Sequence, residues 1–395
     1  MSSVEHLSTP IGNIPIGRRI AEIMSEKGNA FSIRAFSSRI GISKDMLGRM
    51  ISGERYISPS ELEVIAKGLS ISVNRVKQKD TVNKSNELRS LLENEKNFKR
   101  ALELALELQE VAIGCSERFV ILNDLGRVYY ATRKYEEAHV TWTRAIGFAQ
   151  TIADEYHDTE PLYKVMNNLL LSFTEIKDYV GLNATISAVK HQFERFPTRM
   201  GTLYYSAAVV AFHAQNYDEA KVKFLDALRI FENTGKSIQI GTLEHNVGYT
   251  EYKLGNFSSA KEYFERAVTT LENFDEAKII AVKDYVKTLL KTNEKKKARM
   301  LIDESLNDLE EKLDLPTRKA QFLMLRAIVD SDITSAESVL MVENAPSNLK
   351  YLVCKFLMNH YKEIGDAENL MRYYVIAEEH CVNNSAIYDE AGLSG

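Results

Sequence analysis

Proline is scarce here, seven in 395 residues, and a chain with so few helix breakers is free to be helical over most of its length. Cysteine is scarcer. Cys115, Cys354 and Cys381 are odd in number and far apart, which excludes a disulfide framework and a zinc pattern and leaves them as reduced structural residues. No apolar run approaches the ~20 residues that cross a bilayer, and the polar start Met1-Ser-Ser-Val-Glu-His lacks the basic and apolar regions of a signal peptide. The expected location is therefore the cytoplasm. Chemical motifs are missing too: there is no glycine loop for phosphate, no His-Glu-x-x-His and no Cys/His cluster, and the eight histidines are scattered. These absences point away from an enzyme and from any metal or cofactor.

What is present is ordinary for a soluble globular protein, with 45% hydrophobic and 27% charged residues. The length exceeds what one compact core supports, since single cores stop growing below about 300 residues; two domains, or a domain plus repeats, are expected. Charge is unevenly spread. Residues 1–80 hold twelve Lys and Arg against eight Asp and Glu, net +4, and the remainder is net −9. A basic head on an acidic body suits a DNA-binding module attached to one that does not bind DNA.

The pattern of the head is helical. Pro15 to Lys27 reads as a first helix with the apolar stripe Ile16, Ile20, Ile23 and Met24. Ser32 caps a second helix through Ile40, with Ile33, Phe36 and Ile40 on one face, and Gly41 permits a tight turn. Ser43 caps a third, which buries Leu47, Met50 and Ile51, leaves Lys44, Asp45, Met46 and Arg49 outward, and ends near Ser52 before Gly53. Ser58-Pro59 opens a fourth helix, and Ser72 a short fifth to about Lys77. Residues 32–53, with the Pro-x-x-x-Leu-x-x-Ile-Ala-x-x-Leu helix after them, resemble the Cro/repressor helix-turn-helix. That resemblance implies a third helix lying in the major groove, with Ser43, Lys44, Asp45, Met46 and Arg49 toward base edges and Arg34, Arg39 and Arg55 toward phosphates. Ile33 departs from it, standing where many relatives place a glutamine that contacts DNA. Gly48 inside the third helix costs ~1 kcal/mol against alanine, and close approach to DNA is one explanation. The plain alternative is a packing module that kept the fold and lost the DNA.

From about residue 84 a second pattern recurs. Leu125-Gly126, Tyr129, Tyr135, Ala138, Trp142 and Ala145 form its clearest copy; others are Gly248, Gly255, Phe257, Ala260, Phe264, Ala267, then Tyr217, Ala220, Phe224, Ala227. These resemble tetratricopeptide repeats, in which small residues let paired helices approach. The equivalent positions Ala101, Ala138, Leu182, Ala220, Ala260, Ala298, Ala336 and Leu370 are mostly 37 to 40 residues apart, longer than the usual ~34. Such stacks leave a concave groove lined by the first helix of each pair. In this register the groove receives Asn123, Arg127, Tyr130, Lys164, Asn167, Tyr205, His245, Tyr249, Tyr252, Lys283 and Lys287. Asn and Tyr can hydrogen-bond an extended peptide, and the cations can take its carboxylate or an acidic side chain.

The expected fold is all-α: a five-helix Cro/repressor-type domain followed by a right-handed tetratricopeptide-like α-solenoid. The expected boundaries are a flexible arm over 1–12, the helix-turn-helix domain over 13–78, a linker over 79–86 and the repeat domain over 87–390. The combination resembles the peptide-pheromone-responsive regulators of Gram-positive bacteria and their phages, the group containing Rap, Rgg, NprR, PlcR, PrgX and the arbitrium receptors. The resemblance implies a homodimer held through the repeats, a two-fold related DNA operator and a short signalling peptide that shifts the equilibrium between DNA-binding and non-binding arrangements. It also implies asparagines gripping the peptide backbone, which Asn123, Asn167 and Asn246 suit. Two rivals stand: an adaptor whose repeats bind a protein partner or its own subunit, and a response-regulator-binding, phosphatase-like protein.

Overall fold

The computed structural model describes residues 11–380 apart from 312 and 314; Cys381 and residues 1–10 of the expected arm lie outside the described residues. All regular structure among them is helical. The head comprises α1 (Ile16–Glu26), α2 (Ile33–Ile40), α3 (Lys44–Ile51), α4 (Pro59–Gly68) and α5 (Val73–Val76), around a core that includes Ile20, Ile23, Phe36, Leu47, Met50 and Ile65. Ser43, Ser58 and Ser72 cap their helices as the sequence predicts, but Ser32 heads α2 with no side-chain cap bond. Ser43 accepts from the Met46 amide at 3.3 Å, and Ser58 with Glu61 forms a reciprocal capping box ahead of Pro59. Gly41, at φ 71°, turns the chain between α2 and α3.

Helix pairs then follow: α6 (Val82–Ser90) with α7 (Phe98–Val111), α8 (Cys115–Ala131) with α9 (Tyr135–Tyr156), and α10 (Glu160–Glu175) with α11 (Tyr179–Phe193). Next come α12 (Pro197–His213) and α13 (Tyr217–Glu232), α14 (Ser237–Lys253) and α15 (Phe257–Thr270), and α16 (Asp275–Lys291) and α17 (Lys295–Glu311). The last are α18 (Pro316–Asp330) with α19 (Ile333–Met341) and α20 (Ser347–Ile364) with α21 (Ala367–Glu379). The eight equivalent positions of the sequence pattern all fall on the fourth residue of a second helix. There each amide bonds back to the carbonyl of the residue before the helix. Seven of the eight are fully buried, and Leu370, in the last pair, is half-buried. Six of the eight are alanine and two, Leu182 and Leu370, are leucine, so this position favours a small residue without requiring one. Gly126 shows how close the approach is: a Cβ on it would stand 2.3 Å from Nε1 of Trp142, which donates to the Asn123 carbonyl at 3.1 Å.

The chain divides into two compact units, residues up to Ser206 and residues from Ala207 onward. The first contains the head, and it corrects two expectations about its surroundings. Residues 79–86 are not a free linker: α6 runs through most of them, and Thr81 is buried with its hydroxyl on Glu117 at 3.2 Å. Ile11 and Gly12, expected in a flexible arm, are fixed, Ile11 within the core of the first repeats and the Gly12 amide on Gln78 Oε1 at 2.9 Å.

Candidate DNA-reading face and ligand groove

On the head, Ser43, Lys44, Asp45 and Arg49 stand exposed along the first turns of α3, and Arg34 is exposed on α2. A Cβ on Gly48 would meet nothing within 4 Å, so its surface is open. Met46 departs from the expected outward set, because its side chain packs against the head core. Ile33 departs the other way. It is 37% exposed, while Phe31, brought in by a short helical turn over Asn29–Phe31, lies beside Phe36 at a ring separation of 5.7 Å. Arg39 is held by the Ala30 carbonyl at 2.9 Å and lies 4.4 Å over the Phe31 ring. Arg55 binds Glu61 at 2.8 Å. With the Ser58 amide and hydroxyl, that contact keeps the Glu61 carboxyl at about 2, well below the usual carboxylate range.

The opposite face of the head is sealed against the first repeats by a buried ionic cluster that the sequence reading did not find. Glu117, on the first turn of α8, accepts from Arg19 at 2.6 Å and from Arg75, and both the Arg19 and Glu117 side chains are fully buried. Beside it Arg18 reaches the Ser116 hydroxyl at 2.7 Å and Asp158 at 3.2 Å, while Glu22 receives the Ser116 amide at 3.1 Å. Gly114 makes the approach possible. It sits at φ 80°, and a Cβ there would lie 2.8 Å from Arg19 Nη1 and 2.9 Å from Glu22 Oε2. Burial, only partly offset by Glu117, lowers the Arg19 pKa, and burial together with Glu22 pushes the Cys115 thiol up to about 12, where it is inert. A sequence signal existed: Arg19 lies three residues after Ile16 and four before Ile23, on the apolar stripe itself.

All the groove residues expected from the repeat register lie on first helices, and within each unit they converge. In the first unit Asn123 Oδ1 accepts from Asn168 at 2.9 Å. Arg127 bridges Asp124 and Glu93, each at 3.2 Å, and Arg89 approaches Asp124 at 3.6 Å. Burial lowers the Lys164 pKa against the pull of Asp124. The Tyr130 hydroxyl donates to Glu175 at 3.3 Å, burial and that carboxylate raise its pKa, and burial also raises that of Glu175. Asn167 is half-buried, and its Oδ1 is buried without a hydrogen-bond partner, an acceptor a ligand N–H would satisfy. Tyr205 is half-buried nearby and acts electrostatically on Tyr130.

In the second unit the centre is Asp284. His245 Nε2 lies 2.9 Å from it, Lys283 Nζ 3.2 Å and Lys287 Nζ 3.5 Å. Burial works against the charge on Asp284, yet Lys283, the His245 hydrogen bond and Lys287 together hold its pKa below the ordinary value. His245, Tyr249 and Tyr252 stack along α14 with interplanar angles of 9° and 3°, and Phe212 stacks on Tyr249 at 5.6 Å. Tyr252 belongs to the core rather than to an open groove surface, at 5% exposure and edge-on to Phe257. Asn246 is half-buried. Asp124 and Asp284, neither foreseen, occupy the same place, the tenth residue of α8 and of α16, with a cation three residues later.

Residues 199–273 match the tetratricopeptide repeat family. Among curated proteins, none matches the sequence. Solved structures do match. The apo form of the quorum sensor NprR from B. thuringiensis is 15% identical with a TM-score of 0.59, covering 88% of this chain and 97% of that one. The likeness is one of fold. NprR in complex with its cognate peptide NprX is similar at 16% identity and TM-score 0.51, with the same coverage. Aspartyl phosphate phosphatase F from Bacillus subtilis is similar at 16% identity and TM-score 0.51, covering 96% of each chain. Among the described residues no helix is long and apolar enough to cross a membrane, and no group of acidic, His or Cys side chains could hold a metal.

Proposed function

We propose that the chain is a non-enzymatic, cytoplasmic transcription regulator of the quorum-sensing type. In this reading it binds a two-fold symmetric DNA operator as a homodimer, and a short signalling peptide held by the first helices of its repeats controls that binding. The observation that carries the reading is the exposed face of α3 and its N-cap. Ser43, Lys44, Asp45 and Arg49 face solvent beside the open surface of Gly48, while the far side of the head is spent on its dock. Those donors and cations are the kind that read base edges and phosphates. The fold likeness to a quorum sensor seen with its cognate peptide supports a peptide for the repeats, as does the unsatisfied Asn167 acceptor.

A second reading has its own support. The fold likeness to an aspartyl phosphate phosphatase extends over nearly the whole of both chains, and it favours a protein that grips a response regulator. Band shifts with genomic fragments separate the two. Sequence-selective retardation, altered by a small protease-sensitive factor from culture supernatant, is the expected result. A chain without preference for any duplex over scrambled competitor at moderate salt would sink the regulator reading.

A further inference from the structure

The loop between α3 and α4 displays a tyrosine. Tyr56 is 81% exposed, more than any other aromatic side chain among the described residues. A lone exposed side chain is ordinary; its mount sets this one apart. Gly53, at φ 82°, turns the chain at the end of α3, and the Arg55 amide then bonds back to the Arg49 carbonyl at 2.9 Å. The Arg55 guanidinium is drawn to Glu61 at 2.8 Å, and the Ser58 amide reaches the same carboxylate at 2.9 Å. Ile57 packs against the head core. The residues on either side of Tyr56 are thus tied down, and its ring is turned out to solvent from a fixed backbone. Such a mount removes most of the ordering cost of a contact, since only the two side-chain torsions of tyrosine remain to be set.

The position of the loop names the partner. An eight-residue helix such as α3 is about 12 Å long, and the major groove of B-DNA is about 12 Å wide and about 8.5 Å deep. With the first residues of α3 turned to base edges, as proposed above, its last turn comes out at the wall of the groove, where sugars and phosphates run. The loop pinned to the Arg49 carbonyl leaves from that same end. We infer that Tyr56 touches this wall: its hydroxyl donates to a phosphate oxygen and its ring lies against the adjoining deoxyribose, a contact that fixes the register of the head without reading sequence. This rests on the DNA-binding reading. Tyrosine suits both parts, being a hydroxyl donor carried on an apolar ring. The neighbouring charges fit as well. Arg55, which the sequence placed toward phosphates, is engaged by Glu61, so the donor that the loop turns outward at Tyr56 is a neutral one. A neutral donor displaces no counterion, and its share of the affinity does not fade with salt.

In the test, the full chain selects duplexes from a random-sequence pool, and fluorescence anisotropy measures its affinity for the best of them and for a scrambled copy over a range of salt. Tyr56→Phe should weaken both duplexes by the same factor, about twofold to tenfold for one hydrogen bond, with the slope of log affinity against log salt unchanged. Tyr56→Ala, which also removes the ring, should weaken both further. Because the side chain is exposed, both variants should melt as the wild type does. Single phosphates of the selected duplex are then neutralised as methylphosphonates. One such position should weaken the wild type and leave Tyr56→Phe at the affinity it already has. Wild-type affinity in Tyr56→Phe, or a loss confined to the selected duplex, overturns the phosphate contact and leaves the DNA-binding reading intact. A loss accompanied by slower sedimentation of the variant does the same, because it assigns the ring to a contact between two copies. A chain that selects no duplex removes the DNA-binding reading and this contact with it.

Discussion

The two faces of the head are built from the same residue types and have opposite fates. On α1 and α5, Arg18, Arg19 and Arg75 point into the first repeats and are consumed by Glu22, Glu117 and Asp158. On α3, Lys44 and Arg49 point away, and Arg49 has only a 4.0 Å approach to an equally exposed Glu54. The difference lies in water. A pair between exposed side chains contributes little, so the α3 cations would lose almost nothing if, as proposed, a phosphate or base replaced solvent. A buried arginine, once separated from its acid, leaves an uncompensated charge in a dry place. The head is thus fixed on one side and open on the other, and a net charge of +4 reveals neither.

The largest expected effect tests the fixed side. Glu117→Ala takes the buried acid from Arg19, leaving Arg75 only Asp80, and should cost about 3–5 kcal/mol in denaturant unfolding; a loss no larger than that of an exposed pair would erase the distinction between the faces. On the open side, Lys44→Ala or Arg49→Ala should weaken operator binding by about 1–3 kcal/mol with melting nearly unchanged. Titration against random duplex is the control, and an equal loss there removes the base-reading role. Gly48→Ala should stabilise the fold by up to ~1 kcal/mol, since helix propensity improves and the added methyl meets only open space. Weaker DNA binding by that variant would mark close approach, and unchanged affinity would show that the space is unused. In the repeats, Asn167→Ala should abolish the ligand response without altering basal DNA binding, and unaltered peptide affinity in calorimetry would refute its groove role. The smallest effect is on acidification. Because the Glu61 pKa is depressed to about 2 in the folded chain, its contribution is complete above the ordinary carboxylate pKa and fades as pH falls toward 2. Glu61→Gln should therefore flatten that part of an acid titration followed by circular dichroism, and identical wild-type and variant curves would contradict the capping box.

The helices of the head were legible because caps and stops are local: Ser43, Ser58, Pro59, Gly41 and Gly53 each act within one turn. The repeats were legible for another reason. One helix position recurs as alanine at Ala101, Ala138, Ala220, Ala260, Ala298 and Ala336, with leucine only at Leu182 and Leu370, so the register could be read without knowing any contact. Charge partners escaped because they join residues distant in sequence. Arg19 and Glu117 are nearly a hundred residues apart, and nothing near Asp284 announces that His245 lies across from it. Phe31 escaped too, since the turn that sets its ring beside Phe36 carries no strong local mark. The expected groove positions lie on first helices, but periodicity could not tell that Asn123, Lys283, Lys287 and Tyr252 are largely buried.

Helix α8 grips the head with Ser116 and Glu117 on its first turn and carries Asn123 and Arg127 farther along its length. The head is therefore not a detachable cassette, despite its compact core. A chimaera joined at residues 79–86 would part Arg19 from Glu117 and Arg18 from Ser116 and Asp158. The natural splice point lies beyond Asp158, so a transplant of the head has to carry the opening helix pairs along with α3.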